Sequence, residues 1–371
     1  MDKVTRKTSF GQWFSPINLE LFEEQVKSLK TDYYTKKLKT KSFLKLLMYA
    51  QLEGVESLHE LSDRLFDDQL QKEISLNSIS IAQLSRRLKG LNPTIFQRLL
   101  ADLIGQIYAK THYTKLAMPL KIVDSSTLPL SLTNHPWAKF RKTKAGVKLH
   151  LRLVFMEKGV SYPDKAVLTT AKEHDRNQLE VMVDDKESMY VFDRGYLDYE
   201  RFDRMTDDGY FFLSRLRKNA VVRKVESFSL PEETAVLSDE MVFIGTAQNR
   251  AENVFRLLKV KDTDGNELHL ITNRFDLSAN EISDMYKSRW AIELFFKWIK
   301  QHLNIKKFYG QSDRAIESQV YMALIVYCLH VLVQLQTHST RKILQISRYL
   351  RAALWKHSRI WIRKIQGKAV P

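Results

Sequence analysis

Three acids, with cations gathered around one of them, are the residues of this sequence whose types and spacing suit chemistry. In MYKSRWAIELFFKWIKQHL, Tyr286, Arg289, Glu293 and Lys300 follow the pattern Y-x2-R-x3-E-x6-K. At ~100° per residue on one continuous helix these four fall within an arc of roughly 60°, with Trp290 and Lys297 beside them. An acid flanked by cations on one face suits phosphate chemistry, and it equally suits Glu and Lys pairing on a half-buried helix. Asp124 ends the apolar run Lys121-Ile-Val-Asp, and Asp193 ends Tyr190-Val-Phe-Asp. A carboxylate at the end of a buried strand is costly unless it is paired with a cation or binds metal. Two strand-end aspartates and a helix glutamate together make a hard-oxygen set suited to Mg²⁺ or Mn²⁺ and ill suited to zinc. Asp175, which follows His174, is assigned no catalytic role, although it is the nearest rival to Asp193 as the second acid.

Several elements must position these acids. From Leu120 the pattern is of strands: LKIVDSS, the alternation Val147, Leu149, Leu151, Leu153 against Lys148, His150, Arg152, then KAVLTT, MYVFD and YFFLSRL. Helical patterns at 177–185 and 198–208 separate the last three, giving three strands, helix, strand, helix, strand, the order of a ribonuclease-H-like sheet. Residues 219–272 turn β-rich without helical periodicity and read as an inserted β module. At Ser278, S-A-N-E opens a capping box, and one long helix is expected from there to about Leu303. The first ~115 residues read as several short helices punctuated by Gly54, Gly90 and Pro93. One of them carries Arg86, Arg87 and Lys89, which suits a DNA-reading helix as well as the solvated face of a small bundle.

Composition sets the class of partner. A chain of 371 residues, 44% hydrophobic, has room for two or three domains with a sizeable core. Its 59 Lys and Arg against 43 Asp and Glu leave a net charge of +16, which favours a nucleic-acid partner. No acid follows Glu317, while Arg341, Lys342, Arg348, Arg351, Lys356, Arg359, Arg363, Lys364 and Lys368 all do. A second basic run, Lys139, Arg141, Lys142, Lys144, Lys148 and Arg152, follows Trp137 without an intervening acid and reads as a backbone-binding strip. The single Cys328 excludes a disulfide framework and a cysteine-based zinc site, and reads as a core thiol. The start lacks an apolar run of signal-peptide length, and Val320–Val333 falls short of the ~20 residues of a membrane span, so a cytoplasmic protein without a membrane partner is expected.

The strand IVDSSTLPL, the segment FDRGY and the stretch LITNRFDLSANEISDMYKSRWAIELFFKWIKQHLNIKKFYG resemble the DDE transposases of the insertion-sequence family four, whose signature is this Y-R-E-K helix. The resemblance implies an α/β ribonuclease-H-like mixed sheet core with an inserted β module and a helical N-terminal domain. It implies a cytoplasmic, nucleoid-associated enzyme that cleaves the ends of a mobile element and transfers their 3′-hydroxyls into target DNA. By resemblance Asp124, Asp193 and Glu293 are the ligands of two Mg²⁺ ions, with Mn²⁺ substituting, while Tyr286, Arg289 and Lys300 hold the phosphates. Two ions ~4 Å apart would serve the attacking and the leaving oxygens of an in-line displacement without a covalent protein nucleophile. Trp290 and Trp137 suit either stacking on a flipped base or core packing, and Lys297, Lys139, Arg141, Lys142, Lys144 and Lys148 are further candidate DNA contacts. The expected organisation is an end-binding domain over 1–115, catalytic core over 116–218 and 273–336, the insertion over 219–272 and a basic tail over 337–371. The tail helix with Trp355 and Trp361 suits DNA or a second subunit. Double-stranded DNA is the expected partner, with a homodimer as the bound form. A metal-dependent nuclease of the same fold and a non-catalytic DNA-binding derivative are the alternatives.

Overall fold

Strand β1 (Leu120–Leu130) is the axis of a mixed sheet. On one side it pairs antiparallel with β3 (Lys144–Phe155), whose far edge takes β4 (Ser161–Thr170); β2 (Lys139–Arg141) forms a hairpin on β3. On the other side β1 pairs parallel with β5 (Met189–Phe192), and β5 parallel with β6 (Phe211–Leu216). Helices α8 (Asp175–Met182) and α9 (Tyr199–Asp207), counted after the seven below, connect β4 to β5 and β5 to β6. The order β4-β3-β1-β5-β6 is the ribonuclease-H-like sheet that the strand pattern suggests. Beyond β6 the sheet continues through β11 (Glu267–Thr272), β10 (Phe255–Lys261), β8 (Val236–Thr246) and β7 (Val222–Ser227), with β9 (Asn249–Arg250) paired to β8. The insertion therefore extends the same sheet, satisfying the backbone edge that β6 would otherwise expose.

The computed structural model describes residues 7–111, 118–156, 161–230, 234–302 and 308–367. The chain divides into two compact units, one of Leu116–Leu132 and Trp137–Phe296, which holds the sheet, and one of Met1–Lys115, Thr133–Pro136 and Lys297–Pro371. In the sheet unit, Val123, Tyr190, Phe192, Phe202, Phe212 and Phe255 lie in one buried cluster under α8 and α9.

The other unit is helical: α1 (Ser9–Phe14), α2 (Leu19–Ser28), α3 (Thr40–Glu53), α4 (Leu58–Asp63), α5 (Asp68–Ile74), α6 (Ile81–Gly90), α7 (Thr94–Thr111), then α12 (Asp313–Gln336), α13 (Ile343–Ala352) and α14 (Ser358–Ile365). Helices α10 (Ala279–Lys287) and α11 (Trp290–His302) precede these last three. At 24 residues α12 is longer than its apolar run suggests and passes a membrane span in length, yet 94% of its apolar window is buried among the unit's own helices. His330 is enclosed there, donating through Nδ1 to the Val326 carbonyl, and burial lowers its pKa to about 4. Cys328 is likewise enclosed, and burial pushes its thiol pKa up.

Three sequence expectations change. The segment from Ser278 is two helices, not one: the capping box forms, but around Ser288 and Arg289 the chain tightens into i→i+3 bonds, Arg289 N–H to the Tyr286 carbonyl and Ile292 N–H to the Arg289 carbonyl. The arc drawn for a continuous helix therefore does not hold across residue 288. The C-terminal segment with Trp355 and Trp361, which suits DNA or a second subunit, packs within its own unit. Trp361 is 1% exposed, Trp355 packs on Phe10 and Tyr49, and the Ser9 N–H bonds the Lys356 carbonyl. Strand β3, flanked by β1 and β4 with α8 against it, is buried on both faces, so Arg152 is 5% exposed rather than part of a surface strip.

Candidate active site

The parallel register of β1 and β5 brings two acids to one place. Its last pair is Val123 with Phe192, so Asp124 and Asp193 are the next residues on adjacent strands, at the carboxyl end of the pair. That is where open α/β sheets place ligand sites. Asp124 does not end its strand, as the apolar run suggests: β1 continues to Leu130 along β3, with Asp124 opposite Leu151. The parallel neighbour ends there, and this is what opens one side of Asp124.

Asp193 Oδ1 accepts the Gly195 N–H at 2.8 Å, capping a single 3₁₀ turn, Arg194–Tyr196. A side chain at 195 would put its Cβ 2.9 Å from that oxygen, so only glycine leaves the carboxylate in place. Asp124 Oδ1 accepts the Ser125 N–H at 2.7 Å. Burial first, then the charges of Asp193 and Glu293, raise the Asp124 pKa from 3.8 to about 7, against the pull of the Ser125 N–H and Arg289. Both other acids are thus close enough to Asp124 to be felt by its proton.

Glu293 lies in the first turn of α11, where the helix dipole favours an anion. Its Oε1 accepts Arg289 Nη2 at 2.5 Å, and the Arg289 guanidinium sits 5.9 Å from the Tyr286 ring centroid. Burial opposes the charge on Arg289, but Glu293, Tyr286 and Asp124 more than offset it, and its pKa is raised. Burial raises the Tyr286 pKa, which Asp193 reinforces. Among the described residues no three His, Cys, Asp or Glu side chains stand close enough to grip one ion in this conformation, in which Glu293 is turned to Arg289. The donor chemistry nonetheless fits a hard divalent cation: three half-buried carboxylates, one of them held short of its charge by burial and then by the other two.

The remaining candidates separate. Trp290 is 57% and Trp137 41% exposed, so neither packs in the core. Lys297, Lys139, Arg141, Lys142 and Lys144 are exposed, the last four around the β2–β3 hairpin. Lys148 turns inward, its ammonium 3.2 Å from Asp175 and donating to the Glu173 carbonyl at 2.8 Å. Asp175 accepts the hydroxyl of Ser125, the residue after Asp124, at 2.5 Å. Tyr196, which the sequence did not single out, is 1% exposed, and burial followed by Asp124, Asp175 and Asp193 raises its hydroxyl pKa well above the ordinary value. Its one sequence signal is its place in FDRGY.

Residues 116–329 match the transposase DDE domain family. The chain belongs to that family. Residues 5–80 match a second family, described as a domain of unknown function (DUF4372). A protein of Geobacillus stearothermophilus named "Probable transposase for insertion sequence element IS5377" is 33% identical over 248 residues, 66% of this chain and 65% of its own length. A protein of Sinorhizobium fredii named "Putative transposase y4zB" is 30% identical over 240 residues, 63% of this chain and 66% of its own length. The chain thus spans about two thirds of these relatives. Among solved structures, a piggyBac transposase synaptic complex with hairpin DNA superimposes with a TM-score of 0.52 at 11% identity, covering 98% of this chain and 83% of that one, which shows a shared fold.

Proposed function

We propose that this DDE-family protein is a transposase that binds the ends of an insertion sequence, cleaves the DNA by metal-dependent phosphodiester hydrolysis and transfers the 3′-hydroxyl ends into target DNA. The observation that carries the reading is the β1–β5 register, which sets Asp124 beside Asp193 at the carboxyl end of the two strands. Asp124, Asp193 and Glu293 would hold Mg²⁺, with Mn²⁺ substituting and two ions in all. Such ions, when bound, activate the attacking oxygen and stabilise the leaving one in an in-line displacement. Gly195 fixes the rotamer of Asp193 through its N–H. Arg289, once its fork leaves Glu293, presents paired donors matched to a phosphate, and Tyr286 beneath it restricts where the fork can point. Lys300, seven residues beyond Glu293 on α11, shares its face and supplies a point charge. Double-stranded DNA, at the element ends and at the target, is the substrate, the DNA-bound form a homodimer, and the place of action the bacterial nucleoid.

The test is a cleavage and joining assay with the element's own ends. Asp124→Asn, Asp193→Asn and Glu293→Gln each abolish strand cleavage while end binding survives, because binding rests on phosphate contacts elsewhere. Any one of these variants cutting at the parent rate in Mg²⁺ removes that acid from the site. A parent that nicks DNA but never joins a pre-cut end is a nuclease.

A further inference from the structure

The helical unit carries a basic groove that the chemistry above does not use. The loop joining α2 to α3, LKTDYYTKKLK from Leu29 to Lys39, faces α6 across a hollow of about 560 Å³. Lys30, Lys36, Lys37 and Arg86 line it, and no acid is found among its described lining residues. Tyr33 and Tyr34 stand on its rim, 67% and 91% exposed, with ring centroids 4.3 Å apart.

The loop is built to hold this arrangement. Arg87 of α6 reaches into it, donating to the Thr31 carbonyl at 2.6 Å and to Asp32 Oδ1 at 2.7 Å. Asp32 also accepts the Thr40 N–H and hydroxyl, at 2.8 and 2.7 Å. The nearest acid is thereby neutralised, and Arg87 is spent on structure. Lys30 and Tyr34 adopt left-handed backbone, φ 49° and 59°, Lys30 as the left-handed residue that closes α2, with the Thr31 N–H bonded to the Val26 carbonyl. This geometry leaves two aromatic rings exposed beside positive charge. Cations that track a backbone, interleaved with aromatic faces for bases, are how proteins grip unstacked nucleic acid.

We propose that this groove is a DNA-binding site, in which Lys30, Lys36, Lys37 and Arg86 take backbone phosphates and the Tyr33–Tyr34 pair stacks on bases exposed at an unpaired or unstacked step. It rests on the reading of the protein as a DNA transposase, but involves none of the residues of the acid site. The experiment uses the full chain with EDTA present, and a fluorescein-labelled duplex of random sequence ending in a single-stranded overhang that carries 2-aminopurine. The triple variant Lys30→Glu, Lys36→Glu, Arg86→Glu binds about tenfold more weakly or worse, and its slope of log K against log salt falls by about 0.9 for each duplex phosphate that the groove no longer neutralises. Tyr33→Ala and Tyr34→Ala keep the salt slope but lose the quenching of 2-aminopurine that the parent causes. These side chains are exposed, so thermal melting should match the parent; the milder Lys36→Gln, Arg86→Gln pair repeats the test with less repulsion. Parent-like affinity and slope in both charge variants overturn the groove as a DNA site, and quenching retained in both tyrosine variants overturns the stacking. A parent that binds no DNA sinks the transposase reading and this one together, whereas a parent that binds while the groove variants bind equally well sinks the groove alone.

Discussion

Two sets of three carboxylates sit in the same sheet unit and are handled in opposite ways. Around Arg152, each acid has a cation: the guanidinium grips both oxygens of Asp164 at 2.8 Å and bonds Asp184, Lys165 reaches Asp184 at 2.7 Å, and Lys121 reaches Asp185 at 2.8 Å. Burial opposes the charge on Asp185, yet its bonds from Lys121 and Ser188 hold the pKa at about 2. Around Asp124, burial and the neighbouring charges of Asp193 and Glu293 outweigh the Ser125 N–H and the Arg289 guanidinium and drive the pKa the other way, to about 7. A fold that matches charge one for one is stabilising itself. One that leaves negative charge unmatched in a half-buried place is poorer in stability there, and the deficit fits a ligand supplied from outside.

On that contrast, breaking the matched set should cost the fold most. Arg152→Ala leaves Asp164, 11% exposed, without its main partner, and removal of one member of a buried pair costs about 3–5 kcal/mol. The urea midpoint should fall accordingly with the slope unchanged. A loss under about 1 kcal/mol would show that the matched set is a solvated surface pair after all.

The contrast also explains what could be read in advance. The strand order was legible because each strand from Leu120 to Leu216 carries its own apolar run, and the Ser278–Glu281 box because capping is local. Asp193 was legible as a strand end. Asp124 was not, because only the parallel neighbour stops at that level, and partners many residues away in sequence leave no local trace. Arg152 alternated with apolar residues as a solvent-facing cation should; what buries it is α8 and the paired acids at 164 and 184, again distant in sequence. The break at Ser288 lacks a Gly or Pro to announce it, and the two turns of i→i+3 bonding there are a tertiary choice. Charge alone pointed to the Arg86–Lys89 helix, yet only the loop contacts separate Arg87, which is structural, from Arg86, which is not.

A second test acts on the unmatched set. Because the Asp124 pKa is raised in the folded protein, its effect on stability is least below about pH 4, and a penalty builds as pH rises from 3.8 to about 7 and is complete above it. Asparagine resembles the neutral form. Without metal, Asp124→Asn should therefore be more stable than the parent at pH 8 by on the order of 2–4 kcal/mol, and nearly equal to it at about pH 4. Added Mg²⁺ should raise the melting temperature of the parent more than that of the variant. A gain of equal size at both pH values would mean that the charge of Asp124 is not what the site stores.

Arg289 should show the reverse of Arg152. Its pair with Glu293 is half exposed on the Glu293 side, 36%, so Arg289→Ala shifts stability by about 0–1 kcal/mol. Cleavage and joining should nevertheless fall by about 10²-fold at saturating DNA and Mg²⁺, the scale of losing one donor aimed at developing charge. Lys300→Ala should lower the same rates with little effect on binding to a long DNA end. Rates within a factor of two of the parent for both variants would remove these cations from the chemistry and leave the acids alone.

The smallest effect is expected at Asp175, which belongs to neither set. Its carboxylate has a cation, Lys148 at 3.2 Å, and accepts the hydroxyl of Ser125, the residue after Asp124. His150, 3.6 Å away, adds no charge near neutral pH, since burial lowers its pKa to about 4. Asparagine keeps an oxygen for the Ser125 hydroxyl and loses only the attraction to Lys148, a half-buried pair whose removal costs about 1 kcal/mol. Asp175→Asn should thus melt slightly lower and cleave within about tenfold of the parent, because the strand that carries Asp124 is still held by eleven paired positions along β3. A variant as dead as Asp193→Asn, with end binding intact, would make Asp175 a member of the unmatched set and require a different second acid.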